Sequence, residues 1–348
     1  MISSLPKDIL DKILISLPLK DAIRTSFLSR TWRHAWASMP ELLFIDDSIP
    51  STYLNANFLL FVDRVLLLHK GPILKFHLVS SCCCQVAIDR WMLVLSRNGI
   101  QELVLDLGHD EWYKVPSTLF FCQELINVEL SNCIFEPPQM FKGFSLLSTL
   151  KLSRTTLTDN GLENLVSSCP LLENLWLTDF NGCTHLKIHA PKLKVLMIFG
   201  FFEDLHLGTP KLVVASIGLD GKAGQHDVAG GTKSNLIQAF GSIPAIEELQ
   251  IFGYFIELAF EETPMVPVGK FWQLNMDKRF PFKHLQNVCL SSFSDLEANF
   301  EFVKFVLSTA PMLKKMTLRS DGCPDESKVL RKLLQFPRAS KQAEVIYI

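Results

Sequence analysis

The chain has 348 residues, of which 34 are Lys or Arg and 36 are Asp or Glu, a formal net charge of −2. So balanced a chain has no overall field to gather nucleic acid or an anionic membrane, which excludes both as charge-driven partners. With 48% apolar and 20% charged residues it buries much of itself, which excludes general disorder.

The opening Met1-Ile2-Ser3-Ser4-Leu5-Pro6-Lys7-Asp8 has neither a basic region nor an apolar run, so it does not read as a secretory leader. The apolar stretch 58–68 is broken by Asp63-Arg64 and is far shorter than the roughly 20 residues of a membrane span. An intracellular protein, nuclear or cytoplasmic, is expected. Pro6 suits the first turn of a helix, and Ile9, Leu10, Ile13, Leu14 and Leu17 recur at helical spacing until Pro18 stops it. Residues 21–28 make a second short helical pattern, and Ser29 caps a third that carries Trp32 and Trp36 on one face. Five apolar positions on one short helix exceed what two other short helices can cover, so part of this surface is expected to meet a partner.

Residues 40–57 read as a linker and 58–69 as a helix. Strand-like alternation then begins at Leu74, Phe76 and Leu78, followed by a helix over 86–97 with Trp91, Val94 and Leu95 on one side. One pattern recurs: Ile100-x-x-Leu103-x-Leu105, Leu125-x-x-Val128-x-Leu130, Leu147-x-x-Leu150-x-Leu152 and Leu172-x-x-Leu175-x-Leu177. Its central positions are 25, 22 and 25 residues apart, the period of leucine-rich repeats. The spacing tightens at Leu186-x-Ile188, Leu196-x-Ile198, Leu205-x-Leu207 and Ala215-x-Ile217, where the connections are too short for helices. After a glycine-rich loop at 218–234, the long form returns at Ile246-x-x-Leu249-x-Ile251, Leu285-x-x-Val288-x-Leu290 and Leu313-x-x-Met316-x-Leu318. Helices are expected at 236–240 and 300–308, with the helix at 58–69 and the strand Glu344–Ile348 as caps. The fold class is α/β: a three-helix N-terminal domain followed by a leucine-rich-repeat solenoid, a curved parallel sheet with helices and loops on its outer face. The segments are 1–45, the helical domain; 46–99, linker and first irregular repeat; 100–281, the repeats; and 282–348, C-terminal repeats and cap.

Chemistry-bearing motifs are sparse. There is no Gly-x-Ser-x-Gly, no His-Glu-x-x-His and no Gly-x-Gly-x-x-Gly, and Gly230-Gly231-Thr232-Lys233-Ser234 lacks the residue order of a phosphate loop. His185 and His189 share one strand face and read as surface histidines. Nine cysteines (82, 83, 84, 122, 133, 169, 183, 289 and 323) lack paired ligand spacing, so free thiols, no metal and no cofactor are expected. Arg24, Arg30, Arg33 and His34 lie among helices whose tryptophans sit at core spacing, which argues against a DNA-reading motif.

The opening Leu5-Pro6, the turn Leu17-Pro18-Leu19-Lys20-Asp21-Ala22 and the run Leu28-Ser29-x-x-Trp32-Arg33-x-x-Trp36 closely resemble the plant F-box. Phe27 stands where an aliphatic is usual, and Thr31 where a basic residue is common. The repeats, with Phe302-Val303-Lys304-Phe305-Val306-Leu307 and Ala310-Pro311-Met312-Leu313-Lys314-Lys315-Met316, resemble the plant F-box/FBD/leucine-rich-repeat family, so 282–348 is FBD-like. The resemblance implies a non-catalytic substrate-recognition subunit of an SCF-type ubiquitin ligase. Its F-box would dock a Skp-type adaptor, and through it a cullin, while the repeats hold a target protein. By position the adaptor-facing residues would be Leu5, Pro6, Ile9, Leu10, Ile13, Leu17, Pro18, Leu19 and Ala22. A small-molecule receptor, or a scaffold without ligase assembly, is the alternative.

If the pattern leucines point inward, the residues between them line the concave sheet: Val104, Glu129, Lys151, Trp176, Lys187, Met197, His206, Ser216, Gln250, Cys289 and Thr317. Most are polar or small. Trp176 and Met197, with the equally outward Val195 and Phe199 and with Phe252 three strands beyond Phe199, form the candidate target-binding group. The glycine-rich 218–234 segment folding over them is the competing expectation.

Overall fold

The computed structural model describes residues 6–30, 32–46, 52–81, 84–108, 112–219, 236–252, 256, 282–320 and 326–348. Packing divides the chain into two compact units, Met1–Thr155 and Thr156–Ile348.

In the first unit two short helices each start on a proline: α1 (Lys7–Ile15) after Pro6 and α2 (Leu19–Arg24) after Pro18. Proline's fixed φ suits a helix start, where its missing N–H has no partner to lose. The Pro18 carbonyl accepts from the amides of Asp21 and Ala22 and closes the first turn of α2. Leu10 and Leu14, one turn apart on α1, are buried, as are Leu19 and Ala22 on α2. Among the described residues the predicted third helix is replaced by a turn and a 3-10 segment. Trp32 lies in a turn and Trp36 in a 3-10 segment, Ala35–Ser38, with His34 at φ −123° off the helical path. Both tryptophans are buried all the same, so packing meets their hydrophobic demand without the helix that their spacing predicts.

The stretch predicted as a linker begins with a strand. β1 (Glu41–Ile45) sends Leu42 and Phe44 inward and pairs in parallel with β2 (Lys75–Ser80). α3 (Thr52–Leu68) starts before Phe58 and is the crossover between these strands, a repeat helix rather than a cap. α2 packs at β1 instead. α4 (Gln85–Ser96), on which Trp91 and Leu95 are buried and Val94 is exposed, leads into β3 (Glu102–Leu107). The short β4 (Tyr113–Lys114) pairs with β5 (Asn127–Ile134), and with β6 (Thr149–Thr156) the sheet order is β1-β2-β3-β5-β6. Parallel neighbours in chain order are what a strand-and-crossover repeat produces. Leu42, Phe76, Leu103 and Val128 stand in register as one inward ladder. After β3 the crossover holds a 3-10 segment, Ser117–Phe121, and Phe120, Phe135, Phe141 and Phe144 pack together, mostly edge to face, with ring centroids 4.8 to 6.4 Å apart.

The second unit opens on α5 (Asp159–Ser167), whose first turn is capped by Thr158 Oγ1 accepting from the Gly161 amide at 3.1 Å. Strands β7 (Asn174–Thr178), β8 (His185–His189), β9 (Val195–Gly200), β10 (Asp204–Gly208) and β11 (Val214–Leu219) follow in close succession. They alternate between two sheets: β7, β9 and β11 are neighbours, whereas β8 and β10 pair with each other. β8 packs beside α5 and β10 beside α6 (Leu236–Gly241), so this pair takes the place of helices in the outer layer. Lys187 and His206, predicted on the concave face, therefore belong to the other layer. So short a repeat has room for a second strand but none for a helix.

The main sheet continues through β12 (Glu248–Phe252), β13 (Asn287–Ser291), α7 (Glu297–Thr309), β14 (Lys315–Leu318), α8 (Glu326–Leu334) and β15 (Glu344–Tyr347), all strands parallel. Its inner ladder, Leu177, Ile198, Ile217, Ile251, Leu290 and Leu318, is almost wholly buried. Each such side chain contributes roughly 1.5–3 kcal/mol by burial. Tyr347 continues the row on β15, the last strand in the order among the described residues, and is half-buried at that sheet edge. Asn132, Arg154, Asp179 and Ser292 each stand two residues after the second inward residue of a strand and have φ between +47° and +60°. A left-handed residue there bends the chain, within β5 and β6 at Asn132 and Arg154 and just past the ends of β7 and β13 at Asp179 and Ser292. The Asn132 amide stabilises one such bend by donating to the Gly108 carbonyl.

Candidate functional site

On the helical corner, the expected adaptor-facing residues separate by burial. Leu5 lies outside the described residues. Pro6 and Pro18 are exposed, Ile9 is 45% exposed, and Ile13 and Leu17 are half-buried. Leu10, Leu19 and Ala22 are buried and hold the helices to their neighbours. Pro6, Ile9 and Ile13 fall at i, i+3 and i+7 and form one outer stripe beside the buried Leu10–Leu14 stripe. Sequence reasoning missed the most exposed apolar residues here: Phe27 at 91%, with Leu28 beside it, sits where α2 runs into a 3-10 turn. A concavity of about 470 Å³ opens between this corner and the first repeat, lined by Ile15, Leu17, Pro18, Leu43, Phe58 and Phe61 among others.

The outward rows of the two units differ in chemistry. In the first unit the face is charged: Lys75 Nζ lies 3.3 Å from Glu41 and 3.6 Å from Glu102, His77 Nε2 donates to Glu102 at 2.7 Å, and Lys151 pairs with Glu129 at 2.5 Å. Partial burial works to raise the Glu102 carboxyl, but the His77 hydrogen bond and the Lys75 charge outweigh it and hold it below its ordinary value. The hydrogen bond to Glu41, with the charge of Glu102, raises the Lys75 ammonium above its own.

In the second unit one outward row reads Trp176, Met197, Ser216, Gln250, Cys289 and Thr317 in register. Val195 and Val214 are neighbours in the row below. Phe252 is two strands from Phe199, not three, because β10 has left the sheet. Their rings meet at 5.2 Å and 60° over Gly218, where an added Cβ would run into Phe252 and lie 2.9 Å from Phe199. Trp176, Val195, Met197, Phe199 and Phe252 are all half-buried and form one apolar shelf. Beside Met197 a depression of about 310 Å³ is floored by Ser216, Gln250, Cys289 and Thr317 and bordered by Glu248, Asn287 and Lys315. Most of the glycine-rich segment expected over this shelf, together with Gly230–Ser234, lies outside the described residues.

His185 Nδ1 lies 3.0 Å from Asp204 and Nε2 3.9 Å from Glu203, while His189 sits against Gly208 on the partner strand. No three His, Cys, Asp or Glu side chains of the described residues converge as metal ligands. Cys82, Cys83 and Cys323 lie outside them. Burial pushes the Cys122 thiol up to about 11 and the Cys183 thiol, with Asp159 near it, up to about 12. No helix of the described residues is long and apolar enough to cross a membrane.

Comparison with known proteins decides the affiliation. The F-box domain model matches residues 2–44, the FBD model 282–318, and the model of the LRR repeats of FBD-associated F-box protein At5g56370 matches 88–219. F-box/FBD/LRR-repeat protein At1g13570 of Arabidopsis thaliana is 35% identical across 100% of this chain and 98% of its own length. The chain belongs to the F-box/FBD/LRR-repeat family. Two further Arabidopsis thaliana relatives match part of it: FBD-associated F-box protein At5g56370, 34% identical over 61% of this chain and 52% of its own, and F-box/LRR-repeat protein 13, 31% identical over 62% and 49%. The F-box of this family member thus holds α1, α2 and β1, its matched repeats run from α4 to β11, and its FBD covers β13, α7 and β14. That domain set is the one of an F-box substrate receptor.

Proposed function

We propose that this chain is the substrate-recognition subunit of an SCF-type ubiquitin ligase. The F-box docks a Skp-type adaptor, and through it a cullin. The apolar shelf of the second unit holds a target protein, and the chain itself makes and breaks no bonds. The observation that carries the reading is the stripe Pro6, Ile9 and Ile13, exposed or half-buried on an F-box helix whose other stripe forms the core. Leu17 and Pro18 extend it at the helix corner, while Leu10, Leu19 and Ala22 shape the domain from within. Residues outside Leu5 thus divide between contact and support.

The shelf supports the second half of the reading because large apolar side chains on the open face of a sheet are good anchors for a partner. A small-molecule receptor is the second reading, favoured by the depression beside Met197, whose amide, thiol and hydroxyl floor sits at the low end of ligand-pocket size. The test is reconstitution: the full chain is co-purified with recombinant adaptor and cullin and assayed for cullin-dependent ubiquitin transfer to a co-captured protein. Failure to retain the adaptor rejects the ligase reading. Retention with no protein recovered after proteasome blockade favours the small-molecule reading.

A further inference from the structure

The outer helices of the first unit carry an apolar face that the repeats leave uncovered. On α3, Leu60 and Leu67 are 51% and 83% exposed; on α4, Val86 and Leu93 repeat the same seven-residue spacing; and Phe121 of the adjoining 3-10 segment is 74% exposed. α3 packs against α4 and α4 against that segment. Arg90 and Trp91 of α4 both reach Asp63 of α3, at 3.0 and 2.7 Å. The two apolar ridges therefore lie on helices that pack together and are joined by the Arg90–Asp63 ion pair, a different thing from singly scattered surface leucines.

Among the described residues the charges beside these ridges that are left unpaired are mainly basic. Arg64 stands four residues after Leu60 and Arg90 four residues after Val86, and Lys70 and Arg97 follow the two helices, all four exposed. The helices' own carboxylates are already engaged, Asp63 by Arg90 and Trp91 and Asp89 by Gln85 and Tyr113. Arg64, Lys70 and Arg97 are left outside any ion pair of the described residues, and Glu124 at the Gly99 end of α4 offsets only part of their charge. A second copy of the chain is the wrong occupant, since a two-fold contact would set these arginines against one another.

The geometry points to an acidic amphipathic helix of a partner protein docking on the α3–α4 face. Its apolar side chains, spaced i, i+3 or i+4 and i+7, settle between the ridges of Leu60 and Leu67 and of Val86 and Leu93, and Glu or Asp on its flanks meet Arg64, Lys70 and Arg97. Docking of this kind is independent of whether α1 and α2 hold an adaptor.

The probe is a synthetic helix with leucines at that spacing and glutamates on its flanks, titrated against the full chain by fluorescence anisotropy. The same helix with lysines for glutamates, and phosphatidylserine vesicles, are titrated in parallel. The expected result is saturable binding of the acidic helix that weakens with added salt. Affinity falls at least about tenfold for Arg64→Glu with Arg97→Glu, and is lost for Leu67→Asp with Val86→Asp. Equal binding of the acidic and basic helices, preference for the vesicles, binding of neither helix, or insensitivity to the arginine reversals overturns the assignment. All four substituted positions are exposed, so the variants should melt with the parent protein. If the aspartate pair does not, Leu67→Gln alone takes its place.

Discussion

Phe199 and Phe252 lie on strands that are not neighbours, yet their rings meet at 5.2 Å because the strand between them presents Gly218. A glycine is required there by space alone. Gly218→Ala places a methyl group inside both rings' contact distance and should destabilise the second unit by about 1–3 kcal/mol, the usual cost of overpacking. Thermal melts of Gly218→Ala, Phe252→Ala and the double variant form a cycle in which the second substitution relieves the first. Purely additive losses would mean that the rings do not close over Gly218.

The same shelf is the proposed target anchor, and its burial allows function to be separated from stability. Trp176→Ala with Phe199→Ala removes two half-buried side chains from the outward rows while leaving the inner ladder intact. Recovery of the target in pull-downs should disappear, with adaptor binding and the melting temperature nearly unchanged. Should the double variant unfold instead, these side chains are structural and the target site lies elsewhere.

The leucine ladder was legible in the sequence because Leu-x-x-Leu-x-Leu combines strand alternation with a fixed period. β1 was hidden because Leu43 and Ile45 are as apolar as the inward Leu42 and Phe44, so no alternation shows, and Asp46-Asp47 and Pro50 read as loop. Alternation tells which side of a strand is buried but not which sheet the strand joins, and so by itself it puts Lys187 and His206 on the wrong layer. The same ambiguity put one strand too many between Phe199 and Phe252. Periodicity also overstated the third F-box helix, where buried Trp32 and Trp36 are held by a turn and a 3-10 segment. On α1 the sequence located the apolar positions but could not divide the inner stripe from the outer one.

That division gives a test of the F-box. Ile13→Asp puts a charge on the outer stripe and should abolish co-purification with a Skp-type adaptor, because the carboxylate would be desolvated without a partner in the contact. Leu14→Ala, by contrast, empties a fully buried position and should lower thermal stability by about 2–5 kcal/mol. Undiminished adaptor capture by Ile13→Asp would remove this helix face from the proposed interface.

The thiols should react in an order set by environment. At pH 8 the Cys122 and Cys183 groups, raised to about 11 and about 12, are almost entirely protonated as well as buried, and the thiolate is the reactive form. Half-buried Cys84 and Cys289 are more accessible. Iodoacetamide footprinting of the native chain, read by peptide mass spectrometry, should label Cys84 and Cys289 well before Cys122 and Cys183. Addition of urea should level the four rates, and early labelling of Cys183 in the native state would contradict its packing.

The charged face of the first unit makes stability depend on pH with a definite sign. Glu102, held by His77 at 2.7 Å and facing Lys75 at 3.6 Å, has a folded-state pKa below its ordinary 4.5. Above 4.5 the carboxylate is ionised in both states and its native contacts contribute in full; as pH falls through the lower folded-state value it takes up a proton and the contribution is lost. Lys75, raised above 10.5, runs the other way, its contribution present at neutral pH and lost only as pH rises through the raised value. Glu102→Gln should therefore cost on the order of 1 kcal/mol at pH 7, tempered by the partial exposure of the cluster. The deficit should shrink as urea melts are repeated at successively lower pH below 4.5, as the parent carboxyl takes up its own proton. A deficit that stays constant while the pH is lowered until the parent carboxyl has titrated would show that Glu102 acts through packing rather than through its charge.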